Sequence, residues 1–151
     1  EEAIPFIKHK TGWFDPMMTT GCSMGAYHAV NFFLQHPDVF NKVIALSGVY
    51  DARYFVGDCL EDEIIYQNSP ADYIWNQNDG WFIDRCRNAD IIVCTGLGAW
   101  EQDGLPSFYT LKEAFEHKNI PAWFAEWGYD VSHDWIWWRK QMPYFLSQLN
   151  L

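Results

Sequence analysis

The sequence has no apolar run near the roughly 18 residues that a bilayer-spanning helix needs, and no secretory signal pattern opens it. Cysteine is sparse: Cys22, Cys59, Cys86 and Cys94 form no C-x-x-C pair and have no histidine at zinc-finger spacing. Disulfide-stapled folds are smaller and denser in cysteine, so these read as free thiols in a reducing compartment, and the expected location is the cytoplasm. Basic residues are few, 10 Lys and Arg against 20 Asp and Glu, for a net charge of -10. Such a chain repels phosphate backbones and anionic membrane surfaces, which argues against nucleic-acid and membrane partners. No internal repeat, low-complexity tract or flexible linker interrupts it. Its 151 residues, 49% hydrophobic and 20% charged, suit one folded domain with its own core rather than a disordered chain.

What the chain has in plenty is aromatic side chains, 19% of the total with 9 Trp. Its apolar residues alternate between two periods. Residues 2–10 read as a helix with Ile4, Phe6 and Ile7 inward, ending near Gly12. Residues 17–20 form a short strand, and residues 24–36 a helix with Ala26, Val30, Phe33 and Leu34 at helical spacing. K-V-I-A-L-S (42–47) and I-I-V-C-T (91–95) are buried strands, separated by an irregular stretch, 48–88, with short helical pieces. A helix over 105–118, a strand over 121–127 and a terminal helix from Trp135 complete the pattern. The terminal stripe runs through 135, 138, 142, 145 and 149, and Pro143 should kink it. Strand–helix alternation with continuously apolar strands predicts an α/β fold, a mostly parallel sheet covered by helices on both faces.

The sharpest motif is Gly21-Cys22-Ser23-Met24-Gly25, a G-x-S-x-G set between strand and helix. A strand turning directly into a helix strains the central serine and pushes its hydroxyl out over the sheet edge. Glycines two residues to either side give clearance, and the Met24 N–H at the helix start faces the place where an oxyanion would form. The plainer alternative, glycines punctuating a turn with Ser23 as a helix cap, ignores this strand-before, helix-after context.

Ser23 needs a base. His9 lies between lysines, His28 sits on the shaft of the helix, and His36 and His117 suit helix ends. His133 follows the last strand on a loop at the carboxyl end of the sheet, where loops of open α/β folds converge. The acid should follow the third strand, where the loop offers Glu101 and Asp103. Asp103-Gly104 already has a role as a turn dipeptide, which favours Glu101, and Asp130 is a third candidate. Asp130, His133 and Asp134 could grip a cation, but triad hydrolysis needs none, so neither metal nor cofactor is expected.

T-G-C-S-M-G-A-Y-H-A (20–29), A-L-S-G-V-Y-D (45–51) and W-G-Y-D-V-S-H-D-W (127–135) resemble the putative-esterase branch of the α/β-hydrolases, which includes esterase D-like S-formylglutathione hydrolases. The G-x-G-A-W-E loop and the H-D-W-x-W-W-R-K-Q terminal helix are similar to those of bacterial esterase-like proteins. The resemblance implies that Ser23 is the nucleophile, His133 the base and Glu101 the acid. The expected function is hydrolysis of a small carboxylic ester through an acyl-enzyme. The hydrolase core of that family has about eight strands and this chain shows four, so it reads as an N-terminally truncated domain, the C-terminal half of the fold. The chain opens on Glu1 and its first Met is Met17, in keeping with a missing front. That front would carry the second oxyanion donor and a strand pairing with Met17–Thr20; self-association through that edge is the alternative. Trp100, Trp127, Trp135 and Trp137 lie near the acid and base in sequence and suit a cleft. The rival function is a non-catalytic or truncated module binding a ligand in that Trp-rich cleft.

Overall fold

Val43, Ala45, Ile91 and Val93 turn to one face of a sheet, and Ile44, Leu46, Ile92 and Cys94 to the other, all buried. Successive strand residues point to opposite sides, so a strand apolar throughout must be covered on both. In the computed structural model, which describes residues 2–58 and 61–149, four parallel strands lie in the order β1 (Met17–Cys22), β2 (Phe40–Leu46), β3 (Asp90–Thr95) and β4 (Trp123–Glu126). Register runs through Thr19 against Val43, Ile44 against Ile92 and Cys94 against Ala125. One face packs against α2 (Met24–Gln35), α5 (Pro70–Asn76), α6 (Gly80–Arg87) and α7 (Leu105–His117), burying Phe33, Ile74, Phe108 and Phe115. The other is covered by α8 (Trp135–Leu146) through Trp138 and Phe145. No helix of the described residues is long and apolar enough to cross a membrane.

The structure departs from the sequence reading in several places. Helix α1 (Ala3–Thr11) ends at a left-handed Gly12, as expected, yet buries nothing: Ile4 is half-buried while Phe6 and Ile7 are exposed. The stretch 48–88 has the short helical pieces expected of it, α3 (Arg53–Val56), α4 (Glu63–Gln67), α5 and α6. Two of their starts are capped by side chains, the Asp62 carboxylate accepting from the Ile64 N–H and the Asp79 carboxylate from the Phe82 N–H, while Pro70 occupies the first turn of α5. Strand β4 is shorter than 121–127, and β1 runs on through Gly21 to Cys22. Pro143 lies inside α8, which continues to Leu146, and Trp135 is exposed rather than part of the buried stripe. Cys59 lies outside the described residues. Cys86 and Cys94 are buried free thiols and Cys22 is half-buried; burial pushes the Cys86 thiol up to about 12.

Gln141, on the covered side of α8, is fully buried, and neither polar atom of its amide has a partner among the described residues. An unpaired buried amide is costly, and replacing it with an apolar group of similar shape removes the desolvation penalty. Gln141→Met is therefore expected to stabilise the fold by about 1–2 kcal/mol, read as a higher urea midpoint at unchanged slope.

Candidate active site

Because the four strands are parallel, all their carboxyl ends emerge along one edge of the sheet. Ser23 follows β1, Ser47 follows β2, Glu101 lies in the loop after β3, and His133 lies in the loop after β4. Ser23 holds φ 57°, ψ -125°, in the left-handed half of backbone space that a serine rarely occupies. Its own N–H is tied to the Leu46 carbonyl at 2.9 Å, and the Ala26 N–H returns to its carbonyl at 2.9 Å, so the turn is clamped on both sides. The Met24 N–H, first of the helix, donates to no protein acceptor among the described residues and is available to a ligand.

The expectation of two clearance glycines holds at one of them. A Cβ at Gly21 would lie 2.1 Å from the Gly25 carbonyl oxygen, whereas one at Gly25 meets nothing within 4 Å. The tight approach is therefore of Gly25 backbone onto Gly21.

The structure brings Ser23, His133 and Glu101 together. Ser23 Oγ lies 2.8 Å from His133 Nε2, and His133 Nδ1 lies 3.4 Å from Glu101 Oε2. Glu101 is 2% exposed. A carboxylate so buried needs donors, and Ser47 Oγ donates to Oε1 at 2.6 Å while Thr95 Oγ1 lies 3.4 Å from Oε2. With a carboxylate at Nδ1, the ring proton belongs on Nδ1, which leaves Nε2 to accept from the serine hydroxyl.

Two residues not singled out from sequence complete the frame. Ser47, itself left-handed at φ 56°, also accepts the indole N–H of Trp138 at 3.0 Å. The Trp138 ring stands edge-on to His133 with centroids 4.9 Å apart. Trp138 thus touches the His133 ring and, through Ser47, the Glu101 carboxylate. A serine at the carboxyl end of the strand beside the elbow was the available signal for Ser47. Trp138 was hidden among neighbouring tryptophans.

The glycines of the acid loop are explained by the loop they meet. A Cβ at Gly96 would fall 2.2 Å from the Val131 carbonyl oxygen, and one at Gly98 would fall 2.6 Å from it. Backbone bonds from Gly98 N to Val131 O and from His133 N to Ala99 O, both 2.9 Å, fasten the two loops. Asp103 faces solvent and accepts from the Tyr54 hydroxyl at 3.0 Å, which raises the phenol's pKa; Asp130 is exposed too. Asp130, His133 and Asp134 do not converge into a metal-holding group among the described residues. Of the four tryptophans expected at a cleft, only Trp100 lines the 310 Å³ cavity over Ser23 and His133. Trp127 packs on Tyr144 and Phe145, Trp135 edges Trp138, and Trp137 lies under the Lys140 ammonium.

This arrangement of sheet, elbow and loops is the α/β-hydrolase fold, and comparison with known proteins carries the assignment further. Residues 1–149 match the family model described as "Putative esterase", and the chain belongs to that family. Among solved structures it is similar to a ferulic acid esterase, with TM-score 0.74 and 22% identity over 96% of this chain and 56% of that one. It is also similar to an S-formylglutathione hydrolase from Agrobacterium tumefaciens, with TM-score 0.72 and 16% identity over 97% and 53%. A third is FphF, a fluorophosphonate-binding serine hydrolase of Staphylococcus aureus, with TM-score 0.62 and 17% identity over 97% and 60%. The chain thus spans a little over half the length of these structures. No curated protein matches it by sequence.

The two elbow glycines differ in a measurable way. Gly21→Ala is expected to lower stability by about 3 kcal/mol, because its neighbour is backbone that cannot rotate away. Gly25→Ala should be neutral to stabilising by up to about 1 kcal/mol, since Ala suits a helix better than Gly. Thermal unfolding of the two variants checks the contrast.

Proposed function

We propose that this chain carries the nucleophile, base and acid of a serine carboxylic-ester hydrolase working through an acyl-enzyme. The observation that supports it most is the 2.8 Å contact between Ser23 Oγ, held on a strained elbow, and His133 Nε2, whose other nitrogen faces buried Glu101. Ser23 attacks the ester carbonyl as Nε2 takes its proton. The imidazolium then protonates the departing alcohol, and a water repeats the sequence to release the acid. Glu101 keeps the ring in the productive tautomer and balances its transient charge. The Met24 N–H steadies the oxyanion, helped by the positive end of α2.

Cys22, next to the nucleophile, is not a competitor. Burial raises its thiol pKa and no base touches it among the described residues, which favours the protonated thiol. Ser47 is a positioning residue: its hydroxyl holds one Glu101 oxygen while Trp138 holds Ser47. The free state of the described cysteines fits a reducing compartment such as the cytoplasm. Among the described residues β1 pairs on one side only, with β2, and its Met-Met-Thr-Thr run has neither charge nor proline to guard the open edge. A further strand, from the same protein or a second copy, is the partner we assign to it.

Exposure to a fluorophosphonate followed by intact-mass and peptide analysis should place one adduct, on Ser23. Ser23→Ala is expected to lose the adduct and at least ~10,000-fold in turnover while keeping its unfolding midpoint. An adduct elsewhere, or near-normal turnover, would remove Ser23 from the role. A folded protein with no adduct would leave the ligand-binding module as the reading.

The acid can be tested beside it. Glu101→Gln should cost about 100-fold or more in kcat, and Asp103→Asn no more than about threefold. Ser47→Ala should lower kcat by about tenfold at unchanged KM, the loss of one hydrogen bond to a charged group. Steady-state kinetics on one ester would rank the three.

A further inference from the structure

A second cavity, of about 350 Å³, opens beside the one over Ser23. Met24 and Phe55 line both, so the two are neighbours across the residue that follows the nucleophile. Tyr27, Val56, Ile64 and Ile65 supply further wall, from α2, α3 and α4. Several of these apolar side chains stand open to solvent: Met24 is 58% exposed, Val56 49% and Ile64 73%. Apolar groups gathered at a reactive centre and left in water mark a surface that a ligand covers.

Of the polar side chains in the wall, Tyr27 and Asn68 are already committed. The Tyr27 hydroxyl donates to the Asn68 carbonyl at 2.6 Å, Asn68 Nδ2 donates to the Ile64 carbonyl at 2.8 Å, and Asn68 Oδ1 accepts from Asn31 Nδ2 at 2.8 Å. Tyr27 is further fixed by its ring packing on Phe55, centroids 5.4 Å apart. His28 stacks on Phe32 and faces solvent. A sugar or a charged group entering here would give up water with little in exchange, whereas a hydrocarbon chain gains from leaving it.

We propose that this cavity is a subsite for the apolar arm of the ester, an aliphatic chain of several carbons reaching past Met24 from the carbonyl held at Ser23. The inference rests on the esterase reading of the site, and names the substrate class that reading leaves open. One chemistry has two sources, because the arm could belong to the acyl or to the alcohol side of the ester.

Binding to Ser23→Ala protein separates them and needs no catalysis. Ethyl acetate serves as the baseline, ethyl hexanoate lengthens the acyl side, and hexyl acetate lengthens the alcohol side by the same number of carbons. Each methylene fully buried is worth about fourfold in affinity. One of the longer esters is expected to bind at least tenfold more tightly than ethyl acetate, and which one does so identifies the side. Ile64→Asp changes an exposed wall residue and should bring that ratio down towards one. Equal binding of all three esters, or a chain-length gain that Ile64→Asp leaves intact, would overturn the subsite. Loss of fluorophosphonate labelling at Ser23 in the unmodified protein would instead overturn the esterase reading, and the two failures are read independently.

Discussion

A carboxylate 2% exposed is the constraint around which this end of the molecule is arranged. Left alone, Glu101 would be neutralised or expelled, because a low-dielectric interior does not tolerate an unpartnered charge. It stays because Ser47, Thr95 and His133 converge on its two oxygens from the ends of three successive strand–loop units. Each partner is then no longer free to wander. Ser47 is held by the Trp138 indole, and the His133 backbone is held by Ala99, two residues before the acid. The His133 ring that approaches Ser23 is thereby located by the same contacts that make the burial of Glu101 tolerable.

That arrangement depends in turn on loops that touch. Gly96 and Gly98 let the acid loop meet the backbone of Val131 at distances a side chain would forbid. The elbow repeats the device where Gly25 closes on Gly21. Small residues here have a common cause, backbone approaching backbone near the reacting atoms, and in both cases rigidity of the site follows from the lack of room.

The surroundings divide by chemistry. Over Ser23 the cavity is mixed, with Asp103, Tyr54, Glu101 and His133 at its wall. Beyond Met24 the lining becomes mainly hydrocarbon and ring. The segment 48–88 builds much of that second wall through α3 and α4, the second of which is capped by the Asp62 carboxylate. The part of the chain least regular in sequence thus shapes the cavity beside Ser23, as loops on a rigid sheet commonly do.

The chain's local order was legible because it rests on local causes. Continuous apolar runs at 43–46 and 91–94 read as strands buried on both faces, and G-x-S-x-G between strand and helix points to a sharp turn. Ser23, Met24, His133 and Glu101 could be picked out because parallel strands deliver their following loops to one edge. What sequence could not supply was contact across that edge. Nothing in the order of residues says that Asp103 turns outward to Tyr54 while Glu101 turns inward to Ser47, since both lie in one short loop. Nor does it say that, of the tryptophans near His133, the one that touches the ring is Trp138. α1 has an amphipathic pattern yet buries no residue among those described, because periodicity offers a face without naming its partner. Spacing along a chain sets which side of an element a residue occupies; which neighbour it meets is settled only when the elements pack, by volume, by burial and by the need of each buried polar atom for a partner.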